Sequence, residues 1–183
     1  MNWLDTIRTR ISRPKSQSEP MVSIIVAVAE NGAIGYKGGL VYHISSDLTR
    51  FKSLTVGNTV LMGRKTFQSL PKGALPNRRN IVLSRNADVC LPGVEIFSSF
   101  EEALRHCAKD EHVYVIGGAE IYRQALPFAN ELEMTLIHDT PEQADTFFPE
   151  IDMSEWKEVA REDYPADGED EISYSFVTLH RKS

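Results

Sequence analysis

The residue with the clearest capacity for chemistry is Asp47, a single carboxylate inside the mostly apolar stretch LVYHISSDLTRFK at residues 40–52. Over residues 22–62 the only other acid is Glu30. A carboxylate among apolar neighbours can bind a cationic or amide-rich ring edge and stabilise positive charge that develops there. Without further context a structural role explains Asp47 better, because a helix is predicted to begin at residues 45–47 and its dipole favours an anion in the first turn.

A second group of residues can bind phosphate, and its members follow predicted strands. GRKT at residues 63–66, Arg85, and GGAEIY at residues 117–122 occupy such positions. Glycine lets a backbone approach a ligand, while helix-start amides and basic side chains bind phosphate. The spacing matches neither a P-loop nor the G-x-G-x-x-G motif. Three such turns together indicate a dinucleotide site.

These residues require a scaffold that brings several strand ends to one edge. Apolar runs predict buried strands at residues 23–29, 59–62, 80–84 and 113–118. Helices are predicted between them at residues 47–53, 65–69, 99–108 and 120–126. Later strands are predicted at residues 131–139, 156–163 and 172–180. The pattern predicts an α/β fold with a mainly parallel sheet, helices on both faces and an antiparallel C-terminal edge hairpin, so ligands should bind beyond the strands' carboxyl ends.

Composition restricts the function classes. The 183 residues are 42% hydrophobic and 25% charged, as in one globular domain, and the formal net charge of −6 argues against nucleic-acid binding. No apolar run reaches the length of a membrane span, so no membrane insertion is expected. Cys90 and Cys107 have no metal-binding spacing and fit a reducing, cytoplasmic compartment. No metal site is predicted, and the five histidines are expected on the surface or at sheet edges.

Residues 1–20 differ from the rest of the chain. Apolar residues at helical spacing alternate with arginines and are followed by a Pro/Ser-rich linker. The segment is interpreted as a disordered or dispensable extension, with a basic amphipathic anchor or an organelle address as the alternative. The functional domain is therefore predicted to span residues 21–183, and Met21 is a possible start of translation.

Six motifs occur in an order that resembles dihydrofolate reductase of the chromosomal bacterial type. They are SIIVAVAENGAIG, SSDLTRFK, VLMGRKTFQSLP, ALPNRRNIVLS, VYVIGGAEIYRQALP and DTFFPE, and the resemblance covers residues 22–182. It implies an eight-stranded sheet and the NADPH-dependent reduction of 7,8-dihydrofolate to tetrahydrofolate, with hydride transfer to C6 and protonation of N5. The implied partners are dihydrofolate, NADPH and antifolate inhibitors, and a monomer suffices.

The resemblance assigns Asp47 to the pterin, where it hydrogen-bonds the 2-amino group and N3, with Thr135 completing the network. Arg78 is expected to bind the α-carboxylate of the glutamate tail. The implied catalytic residues are Asp47, Tyr42 and Thr135. The implied substrate-binding residues are Ile25, Asp47, Leu48, Phe51, Lys52, Leu70, Arg78 and Thr135.

The cofactor residues implied by the resemblance lie in the strand-end turns and in the loop after the first strand. They are Ala27, Ala33, Ile34, Gly35, Gly39, Gly63, Arg64, Lys65, Thr66, Ser84, Arg85, Gly117, Gly118, Ala119, Glu120, Ile121, Tyr122 and Gln124. The family has a cis Gly-Gly peptide at the position of Gly117-Gly118, and its loop at residues 33–39 is a mobile lid. Basic residues on the adenosine side imply NADPH rather than NADH.

Some positions depart from the family's pattern. Val41-Tyr42 stands where many members have Pro-Trp, and the Tyr42 hydroxyl either orders the water held near the pterin or shifts it. Ile44-Ser45 replaces Leu-Pro, and Ser98 replaces a basic residue. Two rival functions are considered: a pyrimidine reductase of riboflavin synthesis, which has no need of Arg78 or Asp47, and a non-catalytic nucleotide-binding module.

Overall fold

The computed structural model describes residues 19–86, 89–166 and 172–183. The proposed extension therefore lies almost wholly outside the described residues, as does most of the predicted acidic turn before the last strand. The elements follow one another along the chain. The strands are β1 Met21–Ala29, β2 Ala33–Tyr36, β3 Gly39–Leu40, β4 Thr59–Gly63, β5 Arg79–Leu83, β6 Glu95–Phe97, β7 His112–Gly117, β8 Glu131–Ile137, β9 Thr146–Phe147, β10 Trp156–Tyr164 and β11 Tyr174–Arg181. The α-helices are α1 Ser45–Thr55, α2 Arg64–Ser69, α3 Phe100–Arg105 and α4 Ala119–Ala125.

The predicted α/β architecture is confirmed. Eight strands form one sheet in the order β10-β11-β8-β1-β7-β4-β5-β6. The pairs from β8 to β6 are parallel, whereas β11 is antiparallel to both β8 and β10. The C-terminal edge hairpin is therefore present, and the carboxyl ends of β1, β4, β5 and β7 meet at one edge of the sheet.

Helices cover both faces of the sheet, which explains why its central strands are nearly uniformly apolar. On one face, Phe100 of α3 and Ile121 and Tyr122 of α4 pack against β1, β7 and β8. On the other, Phe67 of α2 and Leu54 of α1 pack against β4, β5 and β7. In β1 the side chains of Ile25 and Ala27 stay only half-buried, and the surface around them is called the cleft below.

The glycine-rich connection after β1 contains regular structure that the sequence did not predict. β2 pairs with β3 and with the distant β9 to form a second, three-stranded antiparallel sheet. The Lys37 amide donates to Asp145 Oδ2 at 2.9 Å, and the Phe148 amide donates to the Gly32 carbonyl at 2.9 Å. The predicted lid is thus fastened to the segment that follows β8.

Other expectations are corrected in detail. β6 was not predicted, and the helix expected at residues 99–108 ends at Arg105, beyond which the His106 amide bonds the Ala103 carbonyl in a tighter turn. Its predicted serine cap is confirmed, because Ser99 Oγ accepts from the Glu102 amide. His180 was expected at a surface or sheet edge, but β11 lies between β8 and β10, and the ring is 7% exposed, with Nε2 3.1 Å from Glu131 Oε2. No helix within the described residues has the length and apolar character needed to cross a membrane.

Candidate active site

The cleft centres on a contact between α1 and β8. Asp47 lies in the first turn of α1, and its Oδ1 accepts a hydrogen bond of 2.5 Å from the Thr135 hydroxyl. Thr135 pairs in register with Ala27 of β1. The structure therefore brings together the residues predicted for the pterin and one predicted for the nicotinamide.

Burial dominates the electrostatics of Asp47. Loss of solvent raises the pKa of this carboxyl above its ordinary value, and the Thr135 hydrogen bond and the Arg50 charge oppose that rise without cancelling it. The position of Asp47 at the helix start favours the anion, and burial, which the sequence did not predict, acts against it. A ligand that offers two N–H donors to this carboxylate would favour the anion again.

Tyr42 lies near this cleft, and its hydroxyl hydrogen is engaged in a hydrogen bond within the protein. The hydroxyl donates to Asp139 Oδ2 at 2.7 Å, and the side chain packs against the cluster that contains Ile44 and Ile137. Burial and the Asp139 bond raise the pKa of Tyr42 to about 12, so the phenol stays neutral. The Tyr42 oxygen can still accept a hydrogen bond from water.

The remaining predicted substrate residues line α1 and the connection after α2. Leu48 is 61% exposed, Phe51 and Leu70 are half-buried, and Lys52 is exposed. Arg78 donates from Nη1 to Thr55 Oγ1 at 3.0 Å and from Nε to the Pro76 carbonyl at 2.9 Å. These two bonds fix its guanidinium plane beside the C-terminal end of α1.

Two of the predicted cofactor turns lie against each other. A methyl group built on Gly63, at the end of β4, would lie 3.0 Å from Ile121 Cγ1. One built on Gly117, at the end of β7, would lie 3.4 Å from Thr66 Oγ1. The Gly117-Gly118 peptide is cis, as the resemblance implied. Backbone amides, a hydroxyl and the exposed Arg64 and Lys65 thus surround a surface without side chains, which fits an anionic dinucleotide.

The other predicted cofactor residues divide into exposed residues and residues that bond within the fold. Arg85 is exposed just after β5, and Ser84 accepts from the Asn86 amide at 3.2 Å. Tyr122 is buried, and its hydroxyl donates to the Ile25 carbonyl at 2.8 Å, which ties α4 to the cleft floor. Glu120 is exposed and paired with Arg123, so its carboxylate is directed away from the turn's backbone.

The predicted lid residues Ala33, Ile34, Gly35 and Gly39 lie in the small sheet. Ala33 and Gly35 are buried there, whereas Gly39 is exposed. A methyl group on Gly35 would lie 3.1 Å from the Gly39 carbonyl oxygen, so this hairpin depends on a residue without a side chain. No cluster of histidine, cysteine or acidic residues that could hold a metal occurs in the described parts of the chain.

Sequence reasoning missed a buried ionic network beside Asp47. Arg50 of α1 pairs with Glu133 of β8, and Glu131 of the same strand contacts His180. The signal was present, since the polar residues at positions 131, 133 and 135 alternate with apolar ones. Alternation alone predicts only a polar face, and here α1 and neighbouring strands cover that face.

Comparison with known proteins agrees with this geometry. The family model for dihydrofolate reductase matches residues 21–181. Dihydrofolate reductase of Neisseria gonorrhoeae is 45% identical over 156 residues, covering 85% of this chain and 95% of that protein. That of Bacillus subtilis is 39% identical over 163 residues, covering 89% and 96%.

A solved structure extends the similarity to the fold. Dihydrofolate reductase from Enterococcus faecalis, complexed with NADP(H) and RAB-propyl, superimposes with a TM-score of 0.82 at 40% identity. The alignment covers 89% of this chain and 97% of that one. The fold, the turns at the strand ends and the Asp47–Thr135 pair agree with the sequence matches. This chain belongs to the dihydrofolate reductase family.

Proposed function

We propose that this chain, an NADPH-dependent oxidoreductase of the dihydrofolate reductase family, reduces 7,8-dihydrofolate to tetrahydrofolate with Asp47 holding the pterin. The observation that carries the assignment of roles is the hydrogen bond between Asp47 and Thr135 at the floor of the cleft. Asp47 accepts from the 2-amino group and N3 of the pterin, and Thr135 keeps its carboxylate oriented. When bound, NADPH supplies the hydride that reaches C6.

The protonation of N5 needs help from the protein, because Asp47 faces another part of the ring. The Asp47 anion stabilises positive charge on the pterin while N5 takes a proton from water. Tyr42 is placed to hold such a water through its hydroxyl oxygen, while Asp139 fixes the direction of that hydroxyl. The lid excludes bulk water and so protects the reactants from side reactions.

The cofactor is held by the turns after β4, β5 and β7. Gly63 and Gly117 admit the backbone to the pyrophosphate, and Thr66 donates its hydroxyl. Arg64, Lys65 and Arg85 neutralise the phosphates, which favours NADPH over NADH. Ala27, Ala33, Ile34, Gly35 and Gly39 contact the nicotinamide side, and residues 118–124 complete the second pyrophosphate turn.

We also propose an oligomeric state, a compartment and a set of partners for this protein. One chain carries every proposed site residue, so we propose a monomer. The cysteines Cys90 and Cys107 are free thiols, which suits the reducing cytoplasm. With a net charge of −6, the protein is not expected to bind nucleic acid. Antifolates that present two N–H donors to Asp47 should compete with dihydrofolate.

The direct test is to mix the purified protein with NADPH and dihydrofolate and to follow the absorbance of the reduced nicotinamide. Absorbance should fall, and faster with NADPH than with an equal concentration of NADH. Supplying a pyrimidine substrate of riboflavin synthesis instead should give no change. If the protein binds NADPH but does not oxidise it at any pH, the proposal is contradicted and the protein is a non-catalytic nucleotide-binding module.

Arg78→Gln is expected to raise the KM for dihydrofolate by about 10–100-fold. This change corresponds to the loss of hydrogen bonds to a charged group, which contribute about 1.5–3 kcal/mol. A dihydropterin without the glutamate tail should be reduced by the variant and the parent at similar rates, because Arg78 has no carboxylate to bind there. Arg105→Gln, an exposed arginine of α3, serves as the matched control in the same steady-state assay. Equal losses with both substrates would assign Arg78 to the fold.

A further inference from the structure

The first turn of α1 carries Asp47 and has no side-chain cap. The residue before the helix is Ile44, whose side chain has no oxygen that could accept from the free amides of the first turn. The Asp47 and Leu48 amides bond the Ile44 carbonyl, which closes the turn but does not orient it relative to the sheet. The position of Asp47 therefore depends on contacts between α1 and the strands beneath it.

Hydrogen bonds from two adjacent helix positions connect this turn with the sheet. The Ser46 hydroxyl bonds the Tyr174 hydroxyl of β11, and Asp47 accepts from the Thr135 hydroxyl of β8. Either hydroxyl of the Ser46–Tyr174 pair can be the donor. The first turn of α1 is thus held on two neighbouring strands, by one side chain on each strand.

The register between β8 and β11 fixes the spacing of these two contacts. Tyr174 pairs with Ile137, and Phe176 pairs with Thr135. Directly paired residues, and residues two positions apart on one strand, point to the same face of a sheet. Tyr174 and Thr135 therefore lie on the same face, and the Tyr174 side chain is a fixed reference point for the helix turn that contains Asp47.

The Tyr174 ring has little freedom to move. It is 7% exposed and stacks on the Tyr164 ring, with 5.2 Å between the ring centroids and 17° between the ring planes. The Phe176 ring lies 5.5 Å away, and Ile44 belongs to the same buried cluster. Because a tyrosine carries its hydroxyl at the end of a rigid ring, a ring held in this way also holds the hydroxyl in place for Ser46.

The contact between Arg50 and Glu133, further along α1, does not replace the Ser46–Tyr174 bond. Glu133 lies on β8, the same strand as Thr135. Two contacts to one strand leave a helix able to roll about the line that joins them, whereas a contact to a neighbouring strand prevents that rotation. The apolar packing of Ile44 opposes the rotation less specifically, because hydrophobic contacts are not directional.

We propose that Tyr174 is a positioning residue for the reduction of dihydrofolate: through Ser46 it fixes the first turn of α1, and so it holds the Asp47 carboxylate where the pterin binds. The inference rests on the proposed function and adds to it a residue that acts through the helix and not on the substrate. A small displacement of an oriented group lowers its contribution to catalysis, so loss of the Ser46–Tyr174 bond should be measurable in the rate.

Tyr174→Phe removes the hydroxyl and keeps the ring. It should lower kcat/KM for dihydrofolate by about 2–10-fold, the effect of losing one hydrogen bond. The Kd for NADPH should stay unchanged, because the proposed phosphate-binding turns follow other strands. Tyr164→Phe is the matched control, since it removes the hydroxyl of the ring stacked on Tyr174, which bonds Glu162, and it should change neither value. Steady-state rates and fluorescence titration with NADPH measure the two quantities.

Variants of Ser46 and Asp47 test whether the effect travels by the proposed route. Ser46→Ala should cause the same loss as Tyr174→Phe, and the double variant should lose no more than either single variant. Ser46→Thr keeps a hydroxyl and should retain most of the activity. In an Asp47→Asn background Tyr174→Phe should have no further effect. Losses that add in the double variant, or that persist undiminished in the Asp47→Asn background, would overturn the proposal.

A spectroscopic measurement tests the position of Asp47 without substrate. The NMR signal of the ¹³C-labelled Asp47 carboxyl in the free protein is identified by its absence from Asp47→Asn. This signal should shift in Tyr174→Phe and in Ser46→Ala, because the carboxylate moves relative to Thr135, and it should not shift in Tyr164→Phe. An unchanged signal or an unchanged kcat/KM in Tyr174→Phe would contradict the proposal.

A rise in the Kd for NADPH equal to the loss in kcat/KM would also contradict the proposal, because it would indicate a general loss of structure. Thermal unfolding identifies a variant that fails to fold, and if Tyr174→Phe is one, the comparison of Ser46→Ala with Ser46→Thr still decides. If the parent protein does not reduce dihydrofolate, the proposed function fails, whereas the Asp47 carboxyl signal still tests the role of Tyr174.

Discussion

Asp47→Asn should reduce turnover of dihydrofolate near neutral pH by about 10²–10³-fold, the effect of removing one preorganised group that stabilises developing charge. The neutral amide keeps the shape of Asp47 and can still accept from Thr135, but it cannot stabilise a protonated pterin. Turnover should then rise as the pH falls, because the substrate reaches the site already protonated. Steady-state rates over a pH series test this prediction. An unchanged pH profile would contradict a role of Asp47 in catalysis and would indicate that it only stabilises the helix terminus.

The same substitution should stabilise the free protein at neutral pH. The folded-state pKa of Asp47 is raised, so between the unfolded and folded pKa values the folded state binds more protons. Stability contributed by this group is therefore present in acid and lost as pH rises through the folded pKa. Asparagine does not ionise. The midpoint of thermal unfolding of the Asp47→Asn variant should therefore exceed that of the parent at neutral pH, and the two midpoints should converge in acid. A midpoint below the parent's at neutral pH would contradict this sign.

Gly117→Ala should weaken NADPH binding by about 5–150-fold, the equivalent of about 1–3 kcal/mol of local strain. Gly117 has a φ of 132°, which residues with a side chain rarely adopt. The new methyl group would also lie 3.4 Å from Thr66 Oγ1 and 3.5 Å from the Tyr122 hydroxyl. Those contacts are of ordinary van der Waals length, so the strain lies in the backbone angle. When the turn relaxes that angle, its backbone leaves the position proposed for the pyrophosphate. Fluorescence titration with NADPH measures the Kd.

Gly57→Ala provides the matched control for that experiment. Gly57 also has a positive φ, of 82°, but nothing lies within 4 Å of an added methyl group. Both variants should lose stability, whereas only Gly117→Ala should lose cofactor affinity. A Kd for NADPH that rises equally in the two variants would show that general destabilisation, and not the shape of the turn after β7, is responsible.

The sequence predicted what depends on long apolar patterns and missed what depends on pairing at a distance. Runs such as SIIVAVA indicate a strand covered on both faces, and β1 has that environment. β3 and β9 have two residues each, and no periodicity can be detected over so short a length. β9 also depends on its pairing with β2, more than 100 residues earlier in the chain, which local propensity does not encode.

The candidate site divides in the same way. Asp47 and the strand-end turns could be selected from residue type and position, and the resemblance supplied Thr135 and Arg78. The pairing of Arg50 with Glu133 could not be predicted, because the register between α1 and β8 decides which side chains meet. The raised pKa of Asp47 was also missed, since it depends on the amount of solvent that the fold removes and not on the helix position alone.

The pairing of the proposed lid, residues 33–40, with the segment after β8 has a consequence for sequence variation in this family. Gly35 lies against both the Gly39 carbonyl and the side chain of Thr146, so each position limits what the other two accept. We expect residues 33–40 and 145–148 to covary among relatives and to be exchangeable between them only as a pair. A chimera that takes only residues 33–40 from a relative would pair them with residues 145–148 of this chain, and the two segments would not have evolved in contact with each other.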